Sequence, residues 1–432
     1  MTAEVAILNK SAVALAADSA VTISAGSDQQ KIFDSADKLF ELSCADAIGV
    51  MVNGDMNFMQ APLGVLVKRY RSTCPRFKNV ADAAEDFIDY LAKFGPSAPN
   101  GVKQAALVAA VKPIYDTIQK RTVEAFPNRL ISSSEEDDET FEDRIRRIQR
   151  EIMSEQVAVM KMALSRLDDA SFTGDGEYEP SAADVIGVDT AIVAIFGEEV
   201  DGEQMAEMRD VGVLALRKQR TSPSYTGLIV AGYGGEELFP TLISMELYGV
   251  VGDRLKYSTR DMVDVDREGT RAKVLPFAQR EMVERFLYGL DDSIKRNISN
   301  FCKAAVPKIR EKLFEQLDMS DEDIDVLTRE AEQAEAAFYA GLIDESFDAI
   351  RTESQAAIED MVEFMPKPEM ARMAEALVNL TSIKRRVSRG METVGGPIDV
   401  AVISQAEGFV WVKRKHYFPS ELNARFFDRR RS

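Results

Sequence analysis

The sequence predicts an α+β fold, a four-layer αββα sandwich with large helical insertions, and three observations lead to it. Short apolar runs at residues 5–8 and 12–16, joined by Asn9-Lys10-Ser11, read as a hairpin covered on at least one face. Residues 47–52 give a further strand that ends at Gly54, after which the spacing turns helical. Met56, Met59, Leu63, Leu66 and Val67 share one helix face over 56–70, and a second helix fits 80–93. Strands followed by helices begin a layered sandwich, because each sheet face has to be covered.

Downstream, the pattern breaks and then resumes. Gly95-Pro96-Ser97-Ala98-Pro99-Asn100-Gly101 is a breaker cluster, and the segment after it is mostly helical in its spacing. Ser134 with Asp137 makes a capping box ahead of a long helix with an apolar stripe of Phe141, Ile145, Ile148, Ile152 and Leu164. The acidic run 135–139 suits a helix N-terminus and reads as a solvated cap. A buried strand is expected at 227–232, its neighbour at 238–248 and a helix at 276–290. A second helical segment over 291–365 is closed by Pro366 and Pro368, a last helix fits 369–386, and 400–403 with 409–412 close as a hairpin. The expected organisation is therefore a sandwich in three pieces, 2–94, 224–290 and 367–418, interrupted by helical insertions at 95–223 and 291–366. A basic tail, 419–432, carries Arg425, Arg429, Arg430 and Arg431.

Charge and composition narrow the function classes. With 432 residues and a net charge of −19, the chain lacks the concentrated positive field that nucleic acid or an anionic membrane requires, so neither is expected as a partner. Three scattered cysteines, Cys44, Cys74 and Cys302, form neither a disulfide framework nor a zinc knuckle, and a reducing cytoplasm is expected. Glu4, Lys10 and Asp18 interrupt the N-terminal apolar stretch, which therefore reads as structure instead of a secretory or membrane segment. Gly232-Tyr233-Gly234-Gly235 has no Gly-Lys-Ser/Thr after it and reads as a strand end. The Met51, Met56 and Met59 patch is expected in the core. His416 is the sole histidine, so a Ser-His-Asp or Cys-His triad would have to use that residue.

Thr2 offers a different nucleophile. A residue this small permits removal of Met1, after which one residue carries both a hydroxyl and a free α-amine. That amine titrates near pH ~8 and can take the hydroxyl proton, so no histidine is needed.

Thr2, Leu15-Ala16-Ala17-Asp18 with Thr22, Lys31-Ile32-Phe33 and Ile48-Gly49-Val50-Met51-Val52-Asn53-Gly54 together resemble the start of proteasome β subunits. They also resemble the peptidase subunit of the related bacterial proteasome-like protease; both belong to the N-terminal-nucleophile (Ntn) hydrolases. The resemblance resumes with Gly227-Leu228-Ile229-Val230-Ala231-Gly232-Tyr233 and with Val394-Gly395-Gly396-Pro397-Ile398-Asp399-Val400-Ala401-Val402-Ile403. It implies that Thr2 is the nucleophile, Lys31 the fixed positive charge beside it, Asp18 the carboxylate that holds the lysine, and Gly54 a backbone donor to the oxyanion. Thr22 would bind substrate backbone as an added strand, and Val21, Phe33, Val52 and Met56 would line the specificity pocket.

The chain departs from the family where a serine is expected near Leu275-Pro276-Phe277-Ala278-Gln279, and where an Asp and a Ser are expected at Met391 and Val394. Gln279, Glu392 and Thr393 lie close by. The segment from Thr22 to Lys31 is also shorter than usual. The expected function is a threonine peptidase or amidohydrolase that cleaves peptide or unfolded protein through an acyl-enzyme on Thr2, without cofactor or metal, in a homo-oligomer. Whether an ATPase feeds it stays open. The alternatives are a non-catalytic assembly or binding subunit of the same fold, and an amidase for a small non-peptide amide. Taken alone, Asp18 and Lys31 could equally be a surface ion pair.

Overall fold

The computed structural model describes residues 2–24, 30–132, 140–197, 200–219, 221–222, 224–316, 320–388, 394–423 and 425. The chain is of mixed α and β structure with several antiparallel sheets, and it divides into two compact units. The first comprises Met1–Leu39, Leu238–Pro240 and Asp264–Ser432, and the second Phe40–Glu237 and Thr241–Val263. Among the described residues, no helix is long and apolar enough to cross a membrane.

The first unit is built on a five-stranded sheet in the order Ala272–Ala278, Ala3–Asn9, Ala12–Ala17, Asp399–Ser404, Gly408–Lys413. Every neighbouring pair is antiparallel. Ala3–Asn9 and Ala12–Ala17 are buried along their whole lengths, as continuous apolar runs require. Asn9 fixes the tight turn between them: its Oδ1 accepts from Ser11 N (2.9 Å), Ser11 Oγ and Ala12 N. Its Nδ2 donates to the carbonyls of Val362 and Met365, each at 2.9 Å, so one buried amide ties the hairpin to a segment far along the chain. Helix Lys367–Val387 lies on this sheet. Its Met370, Ala374, Leu377 and Val378 pack with Val5, Ile7, Ala14, Ala16, Val400 and Val402 in one buried cluster. Pro276 stands opposite Val5 on the edge strand, where a residue without an N–H leaves no ladder bond unmade.

The helix expected over 276–290 is instead the end of strand Ala272–Ala278, a turn, and helix Glu281–Tyr288. Pairing with Ala3–Asn9 overrides the helical spacing there. Residues 291–365 form the helices Asp292–Phe314, Asp321–Gly341 and Asp348–Glu363. Asp291 caps the first through Ser293 N (2.7 Å) and Ile294 N (3.1 Å).

The second unit has a six-stranded sheet in the order Leu39–Glu41, Ala47–Gly54, Thr226–Tyr233, Thr241–Val251, Arg254–Asp264, Ser171–Phe172. Helices Leu63–Arg71 and Val80–Ala92 cover part of it, with Phe87, Leu91 and Val67 packed against Val50, Val52, Leu228 and Val230. Residues 57–62, expected to begin a helix, make a small hairpin of Asn57–Phe58 and Ala61–Pro62 first, and the helix starts at Leu63. Its two turn residues, Met59 and Gln60, have φ of 48° and 65°.

Helices Asn100–Ser132, Phe141–Ser165, Ala182–Phe196 and Gly202–Arg217 form a separate cluster around Tyr115, whose hydroxyl donates to Met208 O at 2.9 Å. The capping box expected at Ser134 and Asp137 lies outside the described residues. The cap that is described is Thr140, whose Oγ1 accepts from Asp143 N (3.2 Å).

Candidate functional site

Thr2 is the residue before strand Ala3–Asn9, and Asp18 comes directly after strand Ala12–Ala17, so the pairing of these strands brings the two together. Asp18 N donates to Ala3 O (3.1 Å) and Ala3 N returns a bond to Asp18 Oδ1 (3.2 Å). The other carboxylate oxygen, Oδ2, accepts from Gly395 N at 3.0 Å. Ser19 N in turn donates to Gly395 O (3.1 Å), which locks the two loops to each other. Backbone amides from two segments therefore fix the carboxylate before any side chain is counted.

The lysine that completes this group is Lys38. Its Nζ lies 2.9 Å from Thr2 Oγ1, 2.6 Å from Asp18 Oδ1 and 2.6 Å from Ala20 O, which uses all three ammonium donors. Thr2, Asp18 and Lys38 are 4%, 1% and 0% exposed. Burial pulls the Lys38 amine below its ordinary pKa, the Asp18 carboxylate and more weakly Glu4 push it back up, and Lys415 adds to the lowering. An amine poised in this way can give a hydrogen bond to the threonine oxygen or, once deprotonated, take a proton from it.

Lys31, the lysine expected beside the nucleophile, does not take part. It lies exposed on the ribbon of Val21–Ser24 and Gln30–Phe33, opposite Ile23, with its Nζ 5.1 Å from the Phe33 ring centre. The ribbon turns back early, and the chain needs seven further residues to bring a lysine to Thr2. A signal for this exists in the sequence: Lys38-Leu39-Phe40 repeats the Lys-aliphatic-Phe pattern of Lys31-Ile32-Phe33. The short spacing to Lys31 is the clue that the later copy is the one in place.

Of the residues expected to bind substrate, Val21 and Phe33 pair across the ribbon, half-buried and 44% exposed respectively. Thr22 Oγ1 is buried, with no hydrogen-bond partner among the described residues. Gly54, Val52 and Met56 belong to the second unit. Gly54 ends its strand at φ 74°, where an added Cβ would come within 2.2 Å of Tyr225 O, so glycine is required there by the backbone alone. Val52 is fully buried among Phe40, Phe87 and Leu228, which corrects its expected place in a specificity pocket: it has no surface to offer a ligand. Met56 is half-buried and packs against the same cluster.

Met391, Glu392 and Thr393 lie outside the described residues. Val394 is fully buried in the core of the first unit. In place of the expected serine, Gln279 donates its backbone N–H to Thr2 O (3.1 Å), and its Oε1 accepts from Arg385 Nε (2.5 Å). Ala278, paired with Ala3, has φ 59°, a left-handed conformation that costs a residue with a Cβ of order ~1 kcal/mol or more.

No protein-family profile matches the chain. No curated protein matches it. Among solved structures it is similar to the Anbu (Gly-1) mutant from Hyphomicrobium sp. strain MC1, at 10% sequence identity and a TM-score of 0.25, over 100% of this chain and 95% of that one.

Proposed function

We propose that the chain is an Ntn hydrolase of the proteasome-like kind, a threonine peptidase or amidohydrolase acting through Thr2. The observation that supports this reading is the buried Lys38 amine held between Thr2 Oγ1, Asp18 Oδ1 and Ala20 O. Burying a lysine costs several kcal/mol unless its charge is matched, and a threonine hydroxyl adds little to that match. A lysine aimed at a hydroxyl serves to lower that oxygen's proton affinity.

The proposed reaction begins with removal of Met1, which turns the Thr2 amide nitrogen into an amine. The amine takes the Oγ proton as Oγ attacks the carbonyl carbon of the substrate. The tetrahedral adduct collapses with cleavage of the C–N bond, and the ammonium returns its proton to the departing amine. An ester on Thr2 remains. Water, deprotonated by the same amine, attacks the ester, and Oγ regains the proton as the acid product leaves. Lys38 stabilises the developing charge on Oγ, and Asp18, pinned by the Ala3 and Gly395 amides, keeps Lys38 in place. Thr22, whose buried hydroxyl has no hydrogen-bond partner among the described residues, is proposed to meet substrate backbone. The roles expected of Gly54 and Met56 carry no step here. Self-association belongs to the proposal as well.

Intact mass spectrometry after incubation with a peptide epoxyketone tests the reading. The expected result is a protein lacking Met1 with one adduct, mapped to Thr2 and absent from Thr2→Ala. Retention of Met1, or an adduct that survives the substitution, would favour a binding subunit of the same fold.

A further inference from the structure

A cavity in the first unit, of about 390 Å³, begins at Ala278, which stands opposite Ala3, and at Gln279, which is hydrogen-bonded to Thr2. It lies between the start of helix Glu281–Tyr288, the start of Asp292–Phe314 and the end of Lys367–Val387. Its walls carry Arg280, Arg285, Arg296, Lys384 and Arg385, in a protein whose net charge is −19. Two of these are neutralised: Arg280 faces Glu284 at 3.1 Å and Arg285 is held by Asp291. Arg296 donates its Nε to the backbone oxygen of Asp292 (3.2 Å). Among the described residues, Arg296, Lys384 and Arg385 have no carboxylate partner, while Glu281 and Asp292 are the acids left on the wall. Basic residues at a helix C-terminus complement its dipole, which accounts for Lys384 and Arg385 being on that turn. It does not account for a cavity that gathers further cations from two other helices, beside a strained Ala278.

The topology says which half of a substrate reaches this cavity. Strand Ala272–Ala278 flanks Ala3–Asn9 on one side and Ala12–Ala17 flanks it on the other. The ribbon that begins at Val21 continues from the second flank, and the cavity opens from the first. The ribbon side is proposed to hold the acyl half, so the opposite flank is left for the departing amine.

We propose that this cavity receives the leaving-group half of the amide substrate and selects for a carboxylate on it, with Arg385 and Lys384 as the contacts, a proposal that rests on Thr2 being the nucleophile. Arg385 is now spent on the Gln279 amide, a neutral acceptor, and a carboxylate would form the stronger, charge-assisted bond. Bonding from Gln279 N to Thr2 O places the recognising group one residue from the reacting one.

The test compares matched internally quenched peptides that differ only in Glu or Gln directly after the scissile bond. The expected result is a kcat/KM at least tenfold higher for Glu, a ratio near one in Arg385→Gln, and an intermediate ratio in Arg385→Lys and Lys384→Gln. Thermal melts of each variant establish that it is folded. Calorimetry on Thr2→Ala, with glutarate against glutaramide, reads the cavity without catalysis, and glutarate alone is expected to bind, with the binding lost when Arg385→Gln is added. Equal kcat/KM for the two peptides, a ratio unmoved by Arg385→Gln, or equal binding of diacid and diamide overturns the proposal. Arg385-dependent glutarate binding in a protein that cleaves no peptide overturns it through its premise, and marks the nucleophile reading as the part that failed.

Discussion

Lys38 Nζ donates to Thr2 Oγ1 at 2.9 Å, across thirty-six residues of chain, with neither side chain reaching solvent to any extent. The hydroxyl is thereby fixed in orientation before any substrate arrives, and the same ammonium is anchored by a carboxylate that two backbone amides hold still. Support therefore runs from amides to carboxylate to lysine to hydroxyl, and each link can be cut separately.

Lys38→Ala is expected to reduce peptide turnover by ~10²–10³, the range for losing a positioned donor that stabilises developing charge. Lys31→Ala, on the exposed ribbon, is expected to stay within about threefold of the parent. Both are read from initial rates on one fluorogenic peptide. A larger loss in the Lys31 variant than in the Lys38 variant would reverse the assignment.

The residue on the acyl side of the cut is expected to be apolar. Val21 and Phe33 face each other across the ribbon as apolar surface, and the Lys31 amine 5.1 Å from the Phe33 ring leaves a basic side chain there without a partner for the hydration it would lose. A fluorogenic library scanned at that position measures it, and preference for Arg or Asp would count against the ribbon as the pocket wall.

The difference between what is readable in the sequence and what is not comes from range. The hairpin at Ala3–Asn9 and Ala12–Ala17 and the helix Lys367–Val387 show in the sequence because each carries its own apolar period. Thr2 and Asp18 show for the same reason, since short-range strand pairing brings them together. Lys38 does not, because a two-stranded ribbon of unknown length separates it from its partner and two lysines offer the same local pattern. Strand Arg254–Asp264 is hidden too: its buried positions are filled partly by the polar Lys256 and Ser258, and the acceptor that lets Lys256 be buried, Ala215 O, is distant in the chain. Residues 276–278 read as the start of a helix until the sheet supplies their partner strand.

Lys256 is 1% exposed and hydrogen-bonded to Ala215 O at 3.0 Å, and burial lowers its pKa to about 7. In the unfolded chain it keeps its proton up to pH ~10.4. Between those values the unfolded state binds more protons, so this group's contribution makes stability rise with pH from about 7 to ~10.4 and stay level below about 7. Lys256→Met is expected to be more stable than the parent at pH 7.5, with the gap narrowing by ~2 kcal/mol at pH 9, at ~1.4 kcal/mol per unit. Urea titrations at the two pH values measure it, and a constant gap would mean that Lys256 stays charged inside the protein.

Gln60 holds φ 65° in the two-residue turn between Asn57–Phe58 and Ala61–Pro62. Turns of that length favour Asn-Gly because both residues need positive φ. Gln60→Gly is expected to raise stability by ~1 kcal/mol, checked by the urea midpoint. A loss instead would mean that the Gln60 side chain makes a contact worth more than the strain.

Mass photometry at near-physiological concentration is expected to show species heavier than the 47.9 kDa monomer. A single peak at the monomer mass would end the proposal of self-association.

The strand after Thr2 lies inside its sheet, among strands that come from segments far along the chain. Ala272–Ala278 flanks it, Asp399–Ser404 pairs with its hairpin partner, and the Gly395 amide that holds Asp18 comes 377 residues after the carboxylate. Asp18 therefore gains its second amide only when segments 377 residues apart have met, so the support beneath the buried lysine is completed by the closing of the sheet itself.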